Sequence, residues 1–129
     1  PGLSLDQTPP LHIPLRFFLS GSVFGVFAGL LFAFSGDALA SRWTPQMLAI
    51  THALTAGFML QVMCGALLQV LPVVIGSGLP RPAFTGGLIH GAITLGCAAL
   101  VGGFLTAAPA LYATAGLLLA GGLAPPRLS

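Results

Sequence analysis

Residues Thr51 to Pro72 read THALTAGFMLQVMCGALLQVLP. The run is almost wholly apolar, yet it opens with a histidine, holds two glutamines and ends on a proline. A helix rising 1.5 Å per residue needs roughly 20 residues to cross the ~30 Å hydrocarbon layer of a bilayer, and this stretch is long enough. An imidazole at that depth must satisfy a donor and an acceptor without bulk water. His52 is therefore the residue on which any function turns.

The rest of the chain agrees with a membrane setting. Of its 129 residues, 56% are hydrophobic and 5% charged, with a mean hydropathy of +1.01, whereas soluble domains are roughly a quarter charged. Apolar runs predict four transmembrane helices over about 16–35, 45–75, 83–105 and 107–124, the last the shortest, with a proline-rich lead-in over 1–15. The expected fold class is an all-α membrane protein, one four-helix domain spanning 1–129. Thr8 to Arg16 carries Pro9, Pro10 and Pro14, so it is expected to be irregular, with His12 in water. The first run is too long for the core of a cleaved signal peptide and leads into a further span, so it is expected to be permanent.

Charge is sparse enough to be read residue by residue. The net charge of +2 comes from four arginines with no lysine, which leaves no basic patch for nucleic acid. Arg16, Arg81 and Arg127 fall on one side of the expected topology, while Arg42 on the other is offset by Asp37. The positive-inside rule then places both termini in the cytoplasm. Trp43 is expected at the opposite interface, with Thr44 as N-cap and Pro45 as first residue of the second helix.

Glycines point to close helix packing. Gly21, Gly25 and Gly29 recur every fourth residue and Ala33 continues the row; Gly87 and Gly91 repeat the spacing in the third helix, with Gly86, Gly96, Gly102 and Gly103 nearby. Cys64 and Cys97 lack a metal-type spacing and read as small buried hydrophobes.

Within the spans, the side chains able to ligate a metal are His52 and, as a weaker candidate, His90. The absence of Asp, Glu, Lys and Arg from the helix interiors argues against a proton pump, a coupled transporter or a Ser-His-Asp hydrolase. His52 either ligates a metal or bonds to Thr51, Thr55, Gln61 or a carbonyl of another helix. On a helical wheel it shares a face with Thr55, Ala56, Met59, Met63, Ala66 and Gln69, the methionines serving as packing. His52 and His90 enter from opposite ends and should differ by roughly 10 Å in height, too far to ligate one iron within a chain.

The order His52, Gly57, Phe58, Gly65, Leu71, Pro72 resembles the histidine-bearing second helix of the haem-copper oxidase subunit I superfamily. It is similar especially to that superfamily's small relatives and to the haem- and copper-containing membrane proteins linked to nitric oxide stress. The resemblance covers one helix of four. It implies axial ligation of a b-type haem by His52, with Gly57, Phe58 and Gly65 either facing the haem or packing, and copper as the other possible metal. It also implies a bacterial inner-membrane location and electron transfer or diatomic-gas binding, with a redox protein as possible partner. The oxidases' copper-site histidine cluster, reaction-centre tyrosine and proton-channel acids have no counterparts, Tyr112 being the only tyrosine and lying in the fourth helix. The expectation is therefore a haem protein that is not an oxidase. The superfamily's catalytic subunit has twelve helices in three arcs of four, so a homotrimer of this chain would resemble one such subunit, with small-residue faces supplying contacts. The alternative class is a membrane assembly or scaffold protein whose histidines make interhelical hydrogen bonds.

Overall fold

A computed structural model describes residues 2–123. Among them the secondary structure is helical, with no strand. Four helices succeed one another: α1 (His12–Phe34), α2 (Pro45–Ile75), α3 (Pro82–Thr106) and α4 (Pro109–Leu123). Short 3-10 turns occupy Leu5–Gln7 and Gly36–Ala40. Arg127 and the expected last residue of the fourth helix, Ala124, lie outside the described residues.

Three helices, α1, α2 and α3, are long and apolar enough to cross a membrane, at 23, 31 and 25 residues. Of the expected fourth span, the described residues cover 15 in α4, about 22 Å of helix against the ~30 Å layer. It begins at Pro109 after a two-residue turn in which Ala107 takes a left-handed φ of 54°, and it folds back against α3. Large apolar side chains line the outside of the spans, among them Val26, Leu30, Leu67, Val74 and Leu95. Such a surface belongs against lipid, and the backbone's polar groups are satisfied within the helices, as a bilayer requires.

The first helix starts at His12 and not at Arg16. Pro14 is its third residue, where the missing N–H is one of the orphan donors of a first turn, so the proline costs no helical hydrogen bond. His12 is exposed, as expected. At the start of α2 the expected cap is present: Thr44 is extended, its hydroxyl accepts from the Met47 amide at 3.3 Å, and Pro45 is the first helical residue. Trp43 is 71% exposed beside it, with the Arg42 guanidinium 5.2 Å above its ring. At the other end Gly76, at φ 77°, terminates the helix as a left-handed cap, its amide bonding the Pro72 carbonyl. Pro72 therefore lies inside α2, one turn before its end.

Some of the glycines pack as expected, and others of the expected rows do not. A Cβ on Gly57 would lie 2.5 Å from Phe24 Cγ, and one on Gly65 would lie 2.9 Å from Phe17 Cβ, so both let α1 close onto α2. Gly21 answers from α1, where a Cβ would meet the Phe58 carbonyl oxygen at 3.2 Å. Gly86 admits Ile13, while Gly96 and Gly103 admit Leu119 and Tyr112 of α4. Gly29 and Gly91 face open space. A buried cluster of Ala28, Ala49, Ile50, Ala53, Cys97 and Val101 joins α1, α2 and α3 near the Gly36–Ala40 end.

Candidate functional site

His52 ends the first α-helical segment of α2, and a π-helical segment, Ala53–Met59, begins at the next residue. The Leu60 amide accordingly bonds back to the Thr55 carbonyl, five residues earlier. Each residue added to a turn rotates the remainder of the helix by roughly 100° relative to an unbroken α-helix. The single face drawn through His52, Met59, Met63 and Gln69 therefore does not exist. Met59 and Met63 are more than half exposed, whereas Gln61 and Gly65 are the buried positions below the π segment. π segments are common at functional sites, and this one adjoins the histidine that stands out in the sequence.

The imidazole of His52 is half-buried, against the Phe104 ring of α3. Its Nδ1 lies 2.7 Å from the Leu48 carbonyl oxygen, one turn back. A carbonyl can only accept, so in the neutral ring Nδ1 carries the proton and Nε2 holds a lone pair. Nε2 has no hydrogen-bond partner among the described residues. The Phe104 ring lies 4.7 Å away, tilted by 32°, and Tyr112 meets Phe104 edge-on at 5.3 Å. The Cys97 thiol donates to the His52 backbone carbonyl at 3.7 Å.

The partner of His52 is thus a carbonyl of its own helix, and not Thr51, Thr55, Gln61 or a neighbouring helix. Both threonines give their hydroxyl protons to carbonyls four residues back, at 2.8 Å each. Gln61 is engaged elsewhere, donating through Nε2 to Thr94 Oγ1 at 2.7 Å.

His90 occupies a different place. Its Nε2 is 2.6 Å from Ser20 Oγ on α1, and its ring meets Phe17 edge-on at 5.2 Å. Cys97 is level with His52 and lies seven residues beyond His90 on α3, so the two imidazoles are about 10 Å apart along the bundle. The structure keeps them apart, as their depths predict.

Of the other sequence-predicted positions, Gly57 and Gly65 are occupied by α1 side chains, which makes them packing positions in this chain. Phe58 covers Gly25 with its ring and remains 39% exposed. Sequence reasoning missed Phe104 and the Leu48 carbonyl. The carbonyl was recoverable from the i−4 spacing that helical side chains commonly use; the phenylalanine, on another helix, was not. No three His, Cys, Asp or Glu side chains converge among the described residues. A shallow apolar groove of about 340 Å³ runs between α1 and α3, lined by Val23, Phe24, Phe27, Val101 and Leu105, and His52 does not line it.

No protein-family model matches the chain, and no curated protein or solved structure matches it either.

Proposed function

We propose that this protein binds a b-type haem in the membrane through Nε2 of His52 and serves electron transfer or diatomic-gas binding. The observation that carries the reading is the Nδ1–H bond to the Leu48 carbonyl. A metal-ligating histidine usually donates its other nitrogen's proton to a carbonyl or carboxylate, which fixes the tautomer and orients the ring. Phe104 limits rotation of that ring from the other side. The residues present fit one axial ligand: Nε2 has no hydrogen-bond partner among the described residues, and the ring is held at its far side through Nδ1.

His90 is the weaker ligand candidate, because its Nε2 is already bonded to Ser20. The chain supplies no second imidazole at the depth of His52, so a homotrimer, which sets three copies of His52 at one height, is the assembly in which two imidazoles reach one iron. Bound haem supplies a one-electron couple and a position for a diatomic ligand. The chain's own residues hold the ring tautomer through the Leu48 carbonyl and shield one side of the ring with Phe104. Arg16 and Arg81 at one end of the spans, against Arg42 with Asp37 at the other, support cytoplasmic termini in a bacterial inner membrane. His52 then lies toward the outer face.

The purified protein should be red, with a Soret band and a pyridine haemochrome of the b type. His52→Ala should abolish both, and His90→Ala should leave them. Colourless, metal-free protein overturns the reading, and bound copper without a haem spectrum replaces it with copper binding. A stable monomer by native mass spectrometry in detergent removes the trimer.

A second reading, a membrane scaffold, is favoured by one specific observation: the Ser20–His90 bond joins α1 to α3 as an interhelical tie. On that reading His52→Ala changes stability or assembly and no spectrum.

A further inference from the structure

Two hydrogen-bonded pairs lie next to one another where α1, α2 and α3 meet. Ser20 Oγ and His90 Nε2, 2.6 Å apart, join α1 to α3; Gln61 Nε2 and Thr94 Oγ1, 2.7 Å apart, join α2 to α3. His90 and Thr94 are four residues apart on α3 and so share a face. On the facing side the stem of Gln61 runs beside α1 at Gly21, the residue after Ser20: a Cβ placed on Gly21 would be 3.4 Å from Gln61 Cβ. The four side chains therefore lie together in one small region inside the three spans.

That region contains an unmet demand. Gln61 is fully buried, and its Oε1 has no hydrogen-bond partner among the described residues. Turning the amide over exchanges oxygen for NH2 and leaves a donor unpartnered in the same place, so the demand does not depend on the amide's orientation. In a bilayer no bulk solvent can meet it.

Thr94 adds a second uncommitted group. Thr51, Thr55, Thr106 and Thr114 each give their hydroxyl proton to the carbonyl four residues back. Among the described residues Thr94 makes no such bond; it accepts from Gln61, and its hydroxyl proton has no acceptor among them. Ser20 has a third, since an oxygen bonded once to His90 retains lone pairs.

We propose that Ser20, Thr94 and Gln61, with His90 as the fourth wall, form a binding site for a single internal water molecule. The water donates one proton to Gln61 Oε1 and one to Ser20 Oγ, and accepts the Thr94 hydroxyl proton. Three bonds are the usual number for a buried water. The scale is right as well: one helical turn of α3, about 5.4 Å, separates His90 from Thr94, and two hydrogen bonds meeting at a water oxygen at a near-tetrahedral angle bridge about 4.5 Å. A metal cation does not suit the site. No carboxylate faces it from α1, α2 or α3, and the Arg16 guanidinium lies against Gly87, less than one turn of α3 before His90. The water converts two pairwise ties into one network that sets the relative height of three helices, independently of whether His52 carries haem.

The test uses the full chain in nanodiscs of perdeuterated lipid, with water-selective rotating-frame NMR cross-relaxation read at the Gln61 side-chain amide, the Thr94 amide and the His90 ring. The expected result is dipolar cross-peaks from a water resident longer than a nanosecond at all three. Gln61→Met, which keeps the stem and removes the amide, should eliminate the cross-peaks at Thr94 and His90. Ser20→Ala should weaken the one at His90 by severalfold. Wild-type protein with no water cross-peak at Gln61 overturns the proposal, as does Gln61→Met that retains them at Thr94. The wild-type measurement decides the matter by itself if either variant fails to fold.

Discussion

Gly57→Ala tests whether this glycine serves packing or faces a cofactor. The added Cβ would lie 2.5, 2.6 and 2.8 Å from Cγ, Cβ and Cδ1 of Phe24, where carbon atoms normally rest about 3.5–4.0 Å apart. Turning the Phe24 ring gives no relief, because its Cβ is attached to the α1 backbone. The helices must part by roughly 1 Å, which also loosens the approach of Gly21 to the Phe58 carbonyl. Overpacking of this kind costs about 1–3 kcal/mol. Alanine also gains up to about 1 kcal/mol in helix propensity over glycine. Gly29→Ala shares that gain but meets nothing within 4 Å, so it serves as the reference. The difference between the two variants isolates the clash, and Gly57→Ala should be less stable than Gly29→Ala by about 1–3 kcal/mol. Unfolding by SDS in mixed micelles, monitored by far-UV circular dichroism, reads this difference. Equal midpoints, or a higher one for Gly57→Ala, refute the packing argument. An altered haem spectrum with unchanged stability would instead put Gly57 against the porphyrin.

Other outcomes rest on single contacts. Ser20→Ala leaves the His90 ring without its interhelical partner and should cost about 1–3 kcal/mol in the same unfolding assay. Thr44→Ala removes the cap on the Met47 amide and should cost about 1 kcal/mol, with faster amide exchange confined to the first turn of α2. Gly76→Ala forces a Cβ into a left-handed backbone at φ 77° and should destabilise by about 1 kcal/mol, whereas Gly91→Ala, with open space around it, should not. Phe104→Leu should keep any haem bound to His52 but broaden or shift its low-spin absorption, because the ring that orients the imidazole is gone.

Much of the architecture was legible along the chain because its signals are local. Thr44-Pro45 marks a helix start through the chemistry of two residues, and the long apolar runs reflect the thickness of a bilayer. The same approach was least informative where length is marginal: the run after Pro109 is as apolar as the others, yet among the described residues its helix covers about 22 Å, short of the ~30 Å layer. It failed at Pro14, because a proline's effect depends on its position in the helix and not on its presence. Of the site, the sequence exposed His52 as an anomaly and placed it about 10 Å from His90 in height. It could not reveal the π segment, since a periodicity argument assumes the regular turn that Ala53–Met59 interrupts.

The sequence by itself determined that the chain is helical and apolar enough to cross a membrane, read as four spans of which three are of full length among the described residues, and that His52 and His90 are the imidazoles at membrane depth. Composition and rise per residue suffice for both. Only the tertiary structure decided what each histidine meets. Leu48 holds one nitrogen of His52 and leaves the other without a partner, while Ser20 occupies His90. It also decided that Gly57 and Gly65 accommodate α1, and that the Gln61 amide is buried with one side unanswered. Those outcomes depend on the register between helices, which is set by which side chain fits against which glycine across a gap that no spacing along one chain encodes.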